Sequence, residues 1–282
     1  MKIYKLAALI TAAVLLLSLC SCGSRQSEII EAPEVTGEFY AQVLDIGKAD
    51  AIVLRSGDNA ALIDCGETKD GDNVLEHLKA SGIDRLDCLI ITHFDKDHVG
   101  GAAEILRSIE VESIITPKYE GTNQEYLDYI AAARDKNITP TELDEITRFT
   151  LSDTLFEVYP PQKTYYKEGD NDFSLVVSVT HGDNKFLFAG DAEEERLSEL
   201  SSQLNLEHSF LKVPHHGKYN KNTEAFLKRV NSDTAVITCS KKNPPDSETL
   251  EVLSGIGSKV YLTEDGTVTA VSDGKSIEIT QQ

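Results

Sequence analysis

Two hydrophobic rhythms alternate along this chain. Phe39–Asp45, Ala51–Arg55 and Ala60–Asp64 show the alternation and β-branched content of strands, with Asp58-Asn59 as the turn between the last two. Val74, Leu75 and Leu78 give Asn73–Ser81 one apolar helical face, and Gly82 supplies its stop. Asp87–Thr92 is a short continuous apolar run, as expected of a strand covered on both faces. Gly101–Ser108 and Asn123–Lys136 return to helical spacing, with the strand Ile114–Thr116 between them. The second half repeats the order. Thr154–Tyr159, Ser174–Thr180, Lys185–Ala189, Phe210–Val213, Thr234–Thr238, Lys259–Leu262 and Val268–Val271 read as strands, and Asp191–Gln203, Thr223–Arg229 and Glu248–Leu253 as helices. His181-Gly182-Asp183-Asn184 is a hairpin turn, which places His181 in solvent. Strands in two runs with helices between them predict an α/β fold of two sheets covered by helices.

The first 37 residues do not follow either rhythm. Lys2 and Lys5 precede an apolar run from Leu6 to Leu19, which is short for a membrane span and has the form of a signal-peptide core. Leu19-Cys20-Ser21-Cys22-Gly23 then resembles a bacterial lipoprotein signal. That likeness implies removal of residues 1–21 and a lipid on Cys22. Residues 22–37, rich in Ser, Glu, Pro and Gly, form the expected tether, and residues 38–282 the folded domain. The expected location is extracytoplasmic, anchored by lipid to the cell membrane of a bacterium. Cys65, Cys88 and Cys239 then remain, an odd number at irregular spacing, and read as packed thiols rather than a disulfide framework.

With 40% hydrophobic and 26% charged residues, disorder and fibrous repeats are excluded. The formal net charge of -20 argues against a stable nucleic-acid partner, because such a surface repels phosphate backbones. It leaves room for a phosphate-bearing substrate where divalent cations reverse the local field.

Three segments carry chemistry. Thr92-His93-Phe94-Asp95-Lys96-Asp97-His98-Val99-Gly100-Gly101 follows a buried strand and precedes a helix. It places four imidazole and carboxylate donors where side chains converge, a set suited to zinc, manganese or iron. In Phe186-Leu187-Phe188-Ala189-Gly190-Asp191 an aspartate ends an apolar strand. In Leu211-Lys212-Val213-Pro214-His215-His216-Gly217 two adjacent histidines do the same.

Taken in order, these segments resemble the metallo-β-lactamase superfamily, and within it the soluble hydrolase domain of ComEC-type DNA-uptake proteins and their secreted free-standing relatives. Val43 to Ala51, Leu62-Ile63-Asp64-Cys65-Gly66 and Asn171-Asp172-Phe173-Ser174 add to the likeness, which runs from about residue 39 to 280. The resemblance implies a four-layer αββα sandwich with the site at one edge between the sheets. It implies two divalent metal ions, Zn or Mn. His93 and Asp95 would hold the first, Asp97 and His98 the second, Asp191 would bridge them, and one of His215 and His216, with His215 taken first, would complete the second site. Asp95, Asp97 and the remaining imidazole, His216, would act in catalysis, with His216 protonating the leaving group. The implied activity is hydrolysis by metal-activated hydroxide, first of all of a small-molecule or nucleic-acid-derived phosphodiester. The alternatives are a carbonyl substrate (lactone, thioester or β-lactam) or a degenerate lipoprotein acting as a binding module. The chain departs from the pattern at Asn243-Pro244-Pro245, where a late histidine is missing, and at Lys48-Ala49, which replace Gln-Gly. Those departures predict either one weakly held metal or a single one. His77 and His208 read as surface residues.

Overall fold

Alternate residues of the central strands face different cores. In Asn59–Ile63, Ala60 and Leu62 pack under helices while Ala61 and Ile63 face a second sheet. In Asn184–Phe188, Phe186 and Phe188 point into that shared core, and Leu187 into a third one beneath the other helices. Both faces of each sheet are therefore buried, and the computed structural model, which describes residues 32–167 and 169–282, shows a four-layer αββα sandwich. Burial of side chains such as Phe156, Phe186, Phe188 and Phe210 between the sheets contributes about 2 to 3 kcal/mol for each.

The first sheet orders its strands Ile277–Gln281, Val268–Ser272, Phe39–Val43, Ile52–Ser56, Asn59–Ile63, Cys88–Ile90, Ile114–Pro117 and Thr141–Leu143. Pairing is antiparallel up to Asn59–Ile63 and parallel beyond it. The second runs Lys259–Leu262, Thr234–Ile237, Phe210–Lys212, Asn184–Phe188, Val176–His181, Thr154–Tyr159 and Thr147–Leu151. Here too pairing changes, from parallel to antiparallel, at Asn184–Phe188. Parallel neighbours deliver the carboxyl ends of their strands to the same edge, and that edge, at the switch of strand direction, is where α/β sheets place ligands. Asp64, His93, Asp191, His215-His216 and Thr238 all leave strands there.

Helices Gly71–Ala80, Ala102–Ser108 and Gln124–Asp135 cover the first sheet, and Glu194–Gln203, Thr223–Val230 and Ser247–Gly255 the second. The described residues belong to one compact unit, Glu31–Gln282. Among them, no helix is long and apolar enough to cross a membrane. The expected signal segment, Cys22 and the start of the tether lie outside the described residues. The three described cysteines are free and buried, as expected.

Three details differ from the sequence expectation. Strands Thr141–Leu143, Thr147–Leu151 and Ile277–Gln281 carry exposed polar residues at sheet margins, so their apolar signal is weak. The helix after Asp191 begins only at Glu194, leaving Asp191 in the preceding turn instead of the helix. Two histidines read as exposed are buried. His181 bonds Ser272 Oγ through Nδ1 at 2.8 Å, and His208 bonds Ser178 Oγ at 2.8 Å and the Leu206 carbonyl at 3.0 Å. In both cases a polar partner on a neighbouring segment satisfies the ring, which local sequence does not reveal.

Candidate metal centre

Strand Cys88–Ile90 runs into Thr92 and His93, and the chain then turns through Asp95 into the short helix Lys96–Val99. Asp95 occupies that helix's N-cap but makes no capping bond, so its half-exposed carboxylate is left for other work. The turn brings His93 and His98 together, with ring centres 4.1 Å apart and both side chains fully buried. Asp95 Oδ2 lies 3.9 Å from His93 Nε2.

The second sheet supplies the opposite wall. Asp191 Oδ2 is 3.2 Å from His98 Nε2 and 3.0 Å from His216 Nε2. Asp97 Oδ2 is 3.6 Å from the same His216 nitrogen and 3.1 Å from Lys48 Nζ. Of the paired histidines, the structure brings His216 to the cluster and not His215. His215 is half-buried, with Nδ1 2.7 Å from Glu193 Oε1 and Nε2 3.4 Å from Asn171. Both histidines have positive φ (47° and 53°), so the backbone reverses twice in succession and turns only the second ring inward. Gly217 continues the left-handed run with φ 76°, and a Cβ there would meet Pro245 at 2.7 Å. The sequence assignment of His215 to the cluster and His216 to its periphery is therefore exchanged by the geometry. The structure brings His93, Asp97, His98 and Asp191 together with His216, and Asp95 stands beside His93.

Around these donors stands a layer that the sequence left without roles. Asp64 accepts from the Thr92 backbone N–H and hydroxyl, each at 2.7 Å, and lies 2.8 Å from His98 Nδ1. Thr238 Oγ1 donates to Asp50 Oδ1 at 2.7 Å and lies 2.9 Å from His216 Nδ1. Lys212, fully buried, pairs with Asp50, donates to the Gly190 carbonyl at 3.2 Å and stands 3.7 Å from Asp191 Oδ1. An aspartate ending an apolar strand, as at Asp64, and a lysine inside an apolar strand, as at Lys212, were the available signals.

Electrostatics follow from this crowding. Burial alone would raise the Asp191 carboxyl, but His216 and His98 hold it well below the usual carboxylate range. Asp97 is likewise lowered against its burial by His216, His98 and Lys48. Burial, then the charge of His98, pushes His93 well below the ordinary imidazole value.

The donors fit a divalent cation. The Nε2 atoms of His93, His98 and His216 and Asp191 Oδ1 are buried without a hydrogen bond, a state that costs free energy unless an ion or water meets them. Donor atoms of His93, His98 and Asp191 lie within 4.8 Å of one another, as do those of Asp97, His98 and His216. Such separations suit ligand bonds of about 2 Å to a common ion. Each cluster imidazole also has its second nitrogen near an oxygen of the surrounding layer, the arrangement that orients metal-bound histidines.

Comparison with known proteins agrees with this picture. The family described as Metallo-beta-lactamase superfamily matches residues 44–241. The ComE operon protein 3 of Bacillus subtilis (strain 168) is 28% identical over 259 residues, covering 84% of this chain and 33% of that protein. Recombination protein 2 of Haemophilus influenzae is 29% identical over 211 residues, covering 73% of this chain and 25% of that one. The chain thus spans a third or less of the length of these curated relatives. The crystal structure of the metallo-beta-lactamase fold protein YhfI from Bacillus subtilis superimposes with a TM-score of 0.54 at 11% identity, over 86% of this chain and all of YhfI, a likeness of fold alone.

Proposed function

Because the chain belongs to the metallo-beta-lactamase superfamily of hydrolases, we propose that it is a metal-dependent phosphodiesterase whose ions are held by His93, Asp95 and Asp191 on one side and by Asp97, His98, Asp191 and His216 on the other. The observation that carries this reading is the acid-rich donor set meeting at one sheet edge with its inward atoms unsatisfied. Carboxylates beside imidazoles suit divalent cations such as Mn or Zn, and such ions bind phosphate oxygens. The names of the two relatives, a competence-operon product and a recombination protein, support a phosphodiester over a carbonyl substrate.

Bound cations at this centre would supply Lewis acidity and a water acidic enough to ionise near neutral pH. The protein supplies the orientation. Asp64 fixes the His98 ring through Nδ1, which aims Nε2 at Asp191. Thr238 does the same for His216. Lys212 pairs with Asp50 and stands beside one Asp191 oxygen, which offsets the negative charge gathered there. His215, outside the cluster and held by Glu193, takes over the leaving-group role that the sequence gave to His216.

Turnover of bis-p-nitrophenyl phosphate with Mn or Zn, set beside nitrocefin, tests the reaction class. The reading expects phosphodiester cleavage that Asp97→Ala abolishes. Nitrocefin cleavage without phosphodiester cleavage would replace it with the carbonyl reading. We also propose that the protein is extracytoplasmic and lipid-anchored through Cys22. Cys22→Ser should then release it from the membrane fraction, and unchanged membrane association would refute the anchor.

A further inference from the structure

Phe94 lies between His93 and Asp95, and both polar groups of its backbone are held by side chains from a later segment. Its N–H donates to the Tyr119 hydroxyl at 2.7 Å, and its carbonyl accepts from Asn123 Nδ2 at 2.6 Å. One bond grips the peptide unit that joins Phe94 to His93, the other the unit that joins it to Asp95. The Phe94 ring is buried, 4.6 Å from the rings of Tyr119 and Tyr126. Satisfying a buried peptide is one consequence of these bonds. The other concerns Asp95, whose side chain is 43% exposed and, among the described residues, accepts no hydrogen bond. Its direction is therefore set by its backbone, and that backbone is what the two bonds hold. Each partner has a second task. Asn123 Oδ1 caps the helix Gln124–Asp135 by accepting the Tyr126 N–H at 2.8 Å. The Tyr119 ring stacks on Phe173, with centres 4.3 Å and planes 19° apart. Phe173 precedes Ser174, whose Oγ accepts the Asp191 N–H at 3.0 Å and lies 3.4 Å from His93 Nδ1. Tyr119 thus ties the Asp95 arm of the first sheet to the segment that seats Asp191 in the second.

Resting on the metal-dependent reading of the centre, we infer that Tyr119 and Asn123 are positioning residues for the Asp95 carboxylate. By clamping the peptides on either side of Phe94 they aim Asp95 beside His93. The clamp thereby sets how tightly the side of the centre formed by His93, Asp95 and Asp191 holds a divalent ion.

The test is a double-mutant cycle on the full-length protein, stripped of metal and titrated with Mn by calorimetry. Tyr119→Phe keeps the stacked ring and loses the acceptor for the Phe94 N–H. Asn123→Ser keeps an N-cap hydroxyl and is too short to reach the Phe94 carbonyl. Each change is made in the parent and in Asp95→Ala, where Asp97, His98, Asp191 and His216 remain to bind. In the parent, each should weaken Mn binding about tenfold or more, the scale of losing an orienting partner. In Asp95→Ala the same change should cost less than about twofold, because the clamp no longer has a carboxylate to aim and its effect is not additive with that loss. Parent affinity retained by both single variants would overturn the inference. So would an equal loss with and without the Asp95 carboxylate, which would make the clamp a general support of the fold. A parent that binds neither Mn nor Zn ends the metal reading and this inference together. Binding by the parent and both clamp variants alike ends the inference alone.

Discussion

Asp64 and His98 meet at 2.8 Å in a fully buried pair, although Asp64 ends one strand of the first sheet and His98 lies in the short helix that follows another. The carboxylate also takes two bonds from Thr92, so it cannot rotate away, and its hold on Nδ1 leaves His98 Nε2 as the atom presented to Asp191. Replacing Asp64 by Asn puts an amide nitrogen near one of these donors and loosens the ring. Loss of such an orienting partner costs about 10- to 100-fold in metal affinity. A chelator-competition titration of Asp64→Asn should show a drop of that order in a protein that keeps its circular dichroism spectrum. Unchanged affinity would remove Asp64 from the account.

The two adjacent histidines should separate cleanly. His216→Ala deletes a cluster donor and should lower bound metal, whereas His215→Ala removes only a half-buried ring paired with Glu193 and should leave metal content as in the parent. Metal analysis of the two purified variants decides. The opposite pattern would restore the order read from the sequence.

His208 makes stability depend on pH. Burial lowers its imidazole from the usual 6.5 to about 4, so the folded state keeps the ring neutral where the unfolded chain protonates it. Stability is unaffected above about pH 6.5, falls as pH drops toward about 4, and the full loss is about 3 kcal/mol. His208→Gln should flatten the urea-midpoint profile between pH 6.5 and 4 relative to the parent. Parallel profiles would show that the ring titrates normally.

The thiols should be silent. Burial pushes Cys88 up to about 12 and Cys65 well above its ordinary value, and both side chains are excluded from solvent. Thiolate is the reactive form. Native protein should therefore resist iodoacetamide at Cys65, Cys88 and Cys239, with labelling appearing only on denaturation. Mass spectrometry of tryptic peptides reads this directly, and rapid native labelling of any of the three would contradict the packing.

Much of this was written in local sequence. The periods of Asn59–Ile63 and Asn184–Phe188 reveal strands buried on both faces, and strand-ending donors such as His93 and Asp191 follow from where those runs stop. What local pattern does not carry is contact between distant segments. Whether His215 or His216 turns inward is decided by two successive positive φ angles and by Pro245 against Gly217, far along the chain. The role of Lys212 appears only once Asp50 is seen beside it, and the burial of His181 and His208 only with Ser272 and Ser178 in place.

Metal content of the full-length protein, purified without added metal and compared with Asp191→Ala, tests the central claim most directly, because Asp191 faces both groups of donors. The account predicts a divalent ion retained by the parent through desalting and lost from the variant. A parent that binds neither Zn nor Mn, or an Asp191→Ala protein that keeps its full complement, would contradict it.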